Sequence, residues 1–191
     1  MRLYMARHGQ TDLNAQQRFQ GTSDPPLNAE GIAQAEALAL RLPPGLTRIV
    51  ASPLRRAHQT AAIVAARHGL PVLLMEGFRE RAYGVFEGLC REEIEARYPE
   101  LWARRIARHW DDGPPGGETM RAAVERVRAA LDALAAEHAG ETVLLVAHGF
   151  VARAVHLLLR ELPPEAFYDA PMIGNAEFEF FDALPPGGPP R

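Results

Sequence analysis

Four short apolar runs, Leu3–Ala6, Ile49–Ala51, Val72–Met75 and Thr142–Ala147, predict buried strands. The stretches between them carry helical signals. Asn28 is placed to cap a helix running to about Leu42, which Pro43-Pro44-Gly45 stops. Pro53 suits the first turn of a second helix, through about Arg67 and ended by His68-Gly69. Between Glu118 and His138 the apolar residues Met120, Val124, Val127, Leu131 and Leu134 step by four, three, four and three, which is one face of a long amphipathic helix. Phe150–Arg160 gives another helix, and Ala176–Phe181 reads as a late strand at a sheet edge. Strands alternating with helices predict an α/β fold: a three-layer α/β/α sandwich with a mainly parallel central sheet. Residues 1–182 form one expected domain, followed by a Pro- and Gly-rich tail over 183–191 that is expected to be mobile. Asp111–Gly117 is the strongest internal loop signal, and it either approaches a site or joins two helices.

Four segments leave these strands through polar residues. They are Arg7-His8-Gly9, then Ser52-Pro53-Leu54-Arg55-Arg56-Ala57, then Phe78-Arg79-Glu80, and finally His148-Gly149. Ligands of an open α/β sheet bind beyond the carboxyl ends of its strands. Parallel strands would therefore gather two histidines, at least two arginines and a carboxylate at one edge. That set suits phosphoryl transfer through a histidine. A neutral imidazole nitrogen attacks phosphorus, guanidinium groups hold the equatorial oxygens, and a carboxylic acid protonates the leaving alkoxide.

Composition narrows the partners. The net charge of −3 exerts no global pull toward nucleic acid or an anionic membrane, so anion binding must be local. A basic, aromatic-rich stripe for nucleic acid is also missing from the sequence. The chain has no lysine; all 21 of its Lys+Arg residues are arginine. This excludes a Schiff-base lysine and a P-loop lysine, and it assigns phosphate contacts to guanidinium groups. The single cysteine, Cys90, makes no internal disulfide and no cysteine metal cluster, and is expected to be inert. The sequence has no apolar leader or spanning segment, so a cytoplasmic location is expected. His58, His68, His109, His138 and His156 lack zinc-ligand spacing and read as structural or exposed. Arg55 reads as a solvated rim residue. Tyr98, Trp102 and Trp110, in a helical stretch after "REEIEARYPE", read as packing residues that could wall a pocket.

The ordered motifs carry a resemblance. "RHGQTDLN" (7–14), "RFQG" (18–21), "PLNAEGIAQA" (26–35), "SPLRRAHQTA" (52–61), "FRERAYGVFEG" (78–88), "GGET" (116–119) and "VAHG" (146–149) resemble the histidine phosphatase superfamily, the phosphoglycerate mutase-like proteins. The resemblance implies that His8 is the nucleophile and that Arg7, Arg56 and His148 complete a phosphate pocket. It implies that Glu80, rather than its neighbours Glu76 and Glu87, donates the leaving-group proton and then activates water. Asn14, Gln20, Gly21, Tyr83 and Gly149 are the implied substrate-binding residues. Gln10, Ala147 and Ala82 depart from the usual pattern, and the last bears on substrate contacts rather than on the chemistry. The expected activity is metal-independent and cofactor-free hydrolysis of a small phosphorylated metabolite: an α-ribazole, sugar-phosphate or phosphoglycerate type, or a broad range. One rival is a cofactor-dependent phosphoglycerate mutase, for which the stretch between "FEGL" (86–89) and "GGET" is short. The other is a non-catalytic regulator that binds phosphorylated ligands, which loss of His8 or Glu80 would have signalled. The late strand could pair two copies into a homodimer.

Overall fold

A computed structural model describes residues 1–182. The expected tail over 183–191 lies outside the described residues. Five strands form one sheet: β1 Arg2–Arg7, β2 Arg48–Ala51, β3 Val72–Leu74, β4 Thr142–Ala147 and β5 Phe178–Phe181. Their spatial order is β3-β2-β4-β1-β5. All neighbours are parallel except β5, which runs antiparallel to β1 at the edge.

The helices are α1 Asp12–Ala15, α2 Ala29–Arg41, α3 Arg55–His68, α4 Arg91–Arg97, α5 Pro99–Ala103, α6 Met120–Glu137 and α7 Gly149–Leu159. Side chains alternate across the sheet as the pleat requires. Leu3, Met5, Val143 and Leu145 face α6 and α7, whereas Ala6, Leu144 and Val146 face α2 and α3. Every residue of β4 is buried, as expected for a strand covered on both faces. The three-layer sandwich with a mainly parallel sheet is therefore the observed architecture.

The predicted caps are in place. The Asn28 side chain accepts from the Gly31 N–H, and Gly69 ends α3 in the left-handed conformation. Some boundaries differ. Pro53 lies outside α3, whose N-cap is Leu54. β5 starts at Phe178, because Ala176 has φ +53°, which no strand tolerates. The stretch after Cys90 is two short helices rather than one. Pro99 disfavours helical geometry at Tyr98, which sits at φ −133°, ψ 55° between them. Trp102 is in α5, whereas Trp110 lies beyond the helices against the α6–α7 core. These short elements build a third cluster around Phe86, Ile94 and Ile106, with Phe19, Tyr83, Tyr98 and Trp102 packed on it.

Candidate active site

β1 and β4 are adjacent and in register, with Arg7 opposite Ala147. Their next residues, His8 and His148, therefore leave the sheet side by side, and the two rings lie 5.3 Å apart at 61°. The His8 N–H donates to the Ala147 carbonyl at 3.0 Å, which ties the two exits together.

His8 is buried, and its Nδ1 lies 2.7 Å from its neighbour's carbonyl, Gly9 O. A carbonyl only accepts, so Nδ1 carries the proton and Nε2 carries the lone pair. Burial, reinforced by the charges of Arg56 and Arg7, holds the His8 pKa well below the usual histidine value. The ring is a neutral base with a defined tautomer. Loop packing maintains this arrangement. The Gly9 N–H donates to Thr60 Oγ1, and Asn175 Nδ2 donates to the His8 carbonyl, both at 3.0 Å. A Cβ on Gly9 would come within 2.3 Å of Gly31 O, so the loop and α2 meet backbone to backbone.

His148 is also buried and neutral, its pKa held well below the usual value first by burial and then by Arg56. Its Nε2 is 2.7 Å from Ser52 Oγ, a buried hydroxyl that already accepts from the Leu54 N–H. The hydroxyl proton has the imidazole as its acceptor, which leaves the proton of His148 on Nδ1, a buried atom with no partner. Arg56 is fully buried and donates to Ser23 O (2.6 Å) and Gly21 O (2.9 Å), while its Nε has no partner. Arg7 donates to Ile173 O at 3.1 Å, and its Nε is likewise buried and unpartnered. Three residues close to His8 thus carry unpaired buried donors. Such a set suits the oxygens of a tetrahedral anion.

Glu80 reaches the same cavity from the loop after β3. Its oxygens accept from the Arg81 N–H (3.0 Å) and the Phe150 N–H (3.4 Å). Burial pushes its pKa up, against these hydrogen bonds and the nearby Arg56 and Arg7. Glu76 instead points to solvent beside Arg79, and Glu87 is held by Thr22 and the Tyr83 N–H. Of the three, only Glu80 lines the cavity.

The Asp111–Gly117 loop supports this arm. A Cβ on Gly84 (φ +53°) would meet Pro115 O at 2.1 Å. Fully buried Arg81 donates to the Glu118 and Ala107 carbonyls, and its guanidinium lies over the rings of Tyr83 and Phe150. The Glu118 carboxylate accepts from the Ala82 N–H and pairs with Arg126, which also donates to Gly77 O and Arg79 O. "GGET" is therefore a brace for the Glu80 loop.

The cavity has a volume of about 340 Å³. Asn14, Gln20, Gly21, Tyr83 and Gly149 all line it, with Arg7, His8, Arg56 and Glu80; His148, its ring 5.3 Å from that of His8, is not part of the lining. The carbonyl of Gln20 accepts from Thr11 and that of Asn14 from Thr11 and Asn175, which leaves both amide groups as donors. Burial pushes the Tyr83 phenol up, so it stays neutral. Arg55 is exposed and takes no part. Arg18, Arg108, Arg153, Tyr168 and Met172 also line the wall, and the sequence reading gave none of them a site role. Arg153 is legible in retrospect, one helical turn after Gly149. A second cavity of about 570 Å³ shares Phe19, Tyr83, Arg108, Tyr168 and Met172 with the first and is walled further by Leu101 and Trp102. Among the described residues no group of three or more His, Cys, Asp or Glu side chains is placed to hold a metal ion, and no helix is long and apolar enough to cross a membrane.

A buried, neutral histidine at a strand end, with unpaired donors on two arginines and a second histidine near it and a carboxyl of elevated pKa in the same cavity, is a set that suits a phosphoryl group on an α/β sandwich. A sequence model of the histidine phosphatase superfamily (branch 1) matches residues 3–183, and the chain belongs to that superfamily. It is 38% identical over 170 residues to a probable phosphoglycerate mutase, GpmB, of Yersinia enterocolitica, covering 87% of this chain and 78% of that protein. The solved structure of mycobacterial glucosyl-3-phosphoglycerate phosphatase Rv2419c with VO3 matches with a TM-score of 0.86 at 34% identity, covering 94% of this chain and 91% of that one. That of the alpha-ribazole phosphatase from Shigella flexneri matches with a TM-score of 0.89 at 25% identity, covering 100% and 95%. The chain spans only 43% of the length of Mycobacterium relatives to which it is 38% identical over 161 residues.

Proposed function

We propose that the chain hydrolyses small phosphomonoesters through a phosphohistidine on His8, without a metal or another cofactor. The observation that carries this reading is the His8 ring: Nδ1 is tied to Gly9 O, and Nε2 is free beside the unpaired donors of Arg7, Arg56 and His148. Nε2 attacks phosphorus, the P–O bond to the leaving group breaks, and protonated Glu80 gives its proton to the departing oxygen. The Glu80 carboxylate then takes a proton from water. That oxygen attacks phosphorus, the P–N bond breaks, and phosphate leaves with His8 restored. Relatives named as phosphatases support hydrolysis, whereas a GpmB-like relative supports transfer to a second substrate.

The test uses a labelled phosphomonoester. Base-quenched wild type should retain label that acid quench releases, because phosphohistidine is acid-labile, and His8→Ala should retain none. Turnover by His8→Ala at the wild-type rate would refute the covalent step. Conversion of 3-phosphoglycerate to 2-phosphoglycerate, primed by bisphosphoglycerate and much faster than phosphate release, would replace hydrolase with mutase.

A further inference from the structure

Glu87 takes no part in the chemistry and does not line the cavity, yet four donors hold its carboxylate. Oε1 accepts from the Thr22 N–H at 3.0 Å and the Tyr83 N–H at 2.9 Å. Oε2 accepts from the hydroxyls of Thr22 at 2.9 Å and Ser23 at 3.4 Å. Among the described residues Glu87 makes no ion pair. Four donors fill the acceptor capacity of the two oxygens. The carboxylate thus holds backbone and hydroxyl groups in place rather than balancing a cation.

The Thr22 N–H belongs to a turn that Arg56 also grips. Residues 20–23 form it: the Ser23 N–H donates to Gln20 O at 3.0 Å, with Gly21 at φ +53°. That hydrogen bond leaves the central peptide, between Gly21 and Thr22, without a partner inside the turn. A trans peptide points its carbonyl and its N–H in opposite directions. Here the Gly21 carbonyl accepts from Arg56 at 2.9 Å, and the Thr22 N–H donates to Glu87. Glycine tolerates either orientation of this peptide. Reversed, it would set an N–H against the fully buried guanidinium of Arg56 and remove one of its two carbonyl acceptors. The Glu87 acceptor opposes that reversal.

We propose that Glu87 is a positioning residue for the phosphate pocket. By holding the Gly21–Thr22 peptide it fixes the carbonyl that orients Arg56, and so aims the unpaired Nε–H of that arginine at the substrate phosphate. The inference rests on the phosphomonoesterase reading, in which Arg56 binds the transferred group. What the role requires is an acceptor, not a charge. In Glu87→Gln the amide oxygen serves both N–H groups, and the amide nitrogen donates to the two hydroxyls, which turn to accept. Glu87→Met keeps the bulk and removes the acceptor. The two segments stay joined in it by backbone, from the Phe19 N–H to Leu89 O (3.0 Å) and from the Gly88 N–H to Phe19 O (2.7 Å).

Calorimetric titration with inorganic phosphate, well below the unfolding temperature, reads the pocket without chemistry. Affinity should fall about 10- to 100-fold in Glu87→Met, the range for one charged hydrogen bond, and stay near the wild-type value in Glu87→Gln. The two variants share the lost charge, so their difference reads the acceptor alone. Glu87→Asp keeps the charge and shortens the reach, so it should bind phosphate more weakly than wild type; this comparison decides the matter if Glu87→Met does not fold. In Glu87→Met, kcat/KM should fall by the same factor for p-nitrophenyl phosphate and glycerol 3-phosphate, because Arg56 acts on the group they share. Wild-type phosphate affinity in Glu87→Met or in Glu87→Asp would overturn the proposal, whatever the change in Tm. Equal losses in Glu87→Gln and Glu87→Met would overturn it too, since charge would then be what matters. So would a loss confined to one ester with phosphate affinity intact, which would trace the effect to Tyr83. Absence of phosphate binding by wild type would instead refute the phosphate-site reading itself, and this inference with it.

Discussion

The two buried imidazoles should make the protein lose stability on mild acidification. Both are enclosed and neutral, with pKa values held well below the usual range, mainly by burial and then by arginine charge. In the unfolded chain each titrates near 6.5. Below that value the unfolded state binds protons that the folded state refuses. Stability is therefore complete above about pH 6.5 and is lost as pH falls toward the depressed folded values. Between pH 7.5 and 5.5 one such histidine costs about RT ln 10, or ~1.4 kcal/mol, and the pair costs about 2.7 kcal/mol. For a chain of this size that is a fall of about 5–11 °C in Tm. Glu80 works in the opposite sense. Its raised pKa means that the folded state gains a proton as pH falls, which offsets part of the loss at the acidic end. The assay is scanning calorimetry in phosphate-free buffer at both pH values, because a bound anion would itself stabilise the fold. Wild type is compared with His8→Asn, His148→Asn and the double variant. Each substitution also shifts Tm as a whole, so the informative quantity is the pH-dependent fall. That fall should shrink by about half the histidine contribution in each single variant and by all of it in the double. Identical falls in wild type and the double variant would refute the reasoning.

Glu80→Gln should slow the phosphorylation burst of an alkyl phosphate by about 10²–10⁴-fold and that of p-nitrophenyl phosphate much less, since nitrophenolate needs no acid. Equal slowing in single-turnover measurements would remove Glu80 as the leaving-group acid. Activity should survive exhaustive dialysis against a chelator, and a loss reversed only by a divalent ion would show that arginines do not supply the positive charge. Gly31→Ala places a Cβ 2.0 Å from Gln10 O, so it should cost about 1–3 kcal/mol or more in thermal unfolding and displace the His8 loop. Leu40→Ala, at a residue 65% exposed, should stay within about 0.5 kcal/mol.

β2 and β4 were readable because burial on both faces makes them continuous apolar runs, and a polar residue at the end of such a run stands out; β3, expected to be buried as well, is instead an edge strand with Leu73 and Leu74 exposed. His8 and His148 were legible for that reason, whereas Arg56 was separated from Arg55, and Glu80 from Glu76 and Glu87, only by the family resemblance. The opposite wall was not. It rests on α4, α5 and the segment around Tyr168, which are too short to show a period; α4 and α5 are placed by packing on Phe86, Ile94 and Ile106, and the Tyr168 segment by Phe167 packing on Phe150. Arg108 carries no local mark that separates it from Arg104 or Arg105. The bond between Ser52 and His148 spans 96 residues and depends on β2 and β4 lying side by side, which no local pattern encodes. Asn175, which donates to the His8 carbonyl, was hidden because a left-handed Ala176 ends the irregular segment just before β5.

The strand order has a consequence for when the site can first work. β1 carries His8 near the start of the chain, yet its two sheet neighbours are the fourth and fifth strands in sequence. As this domain folds, the segment carrying His8 has no partner strand until residues 142–147 and 178–181 are in place. Non-local pairing of this kind forms late and slowly. Until those two strands pair with β1, the His8 ring is therefore solvated rather than buried. Recovery of activity during refolding should coincide with the last phase seen by tertiary probes, and fragments ending before Asn175 should be inert even when they contain His8, Arg56, Glu80 and His148.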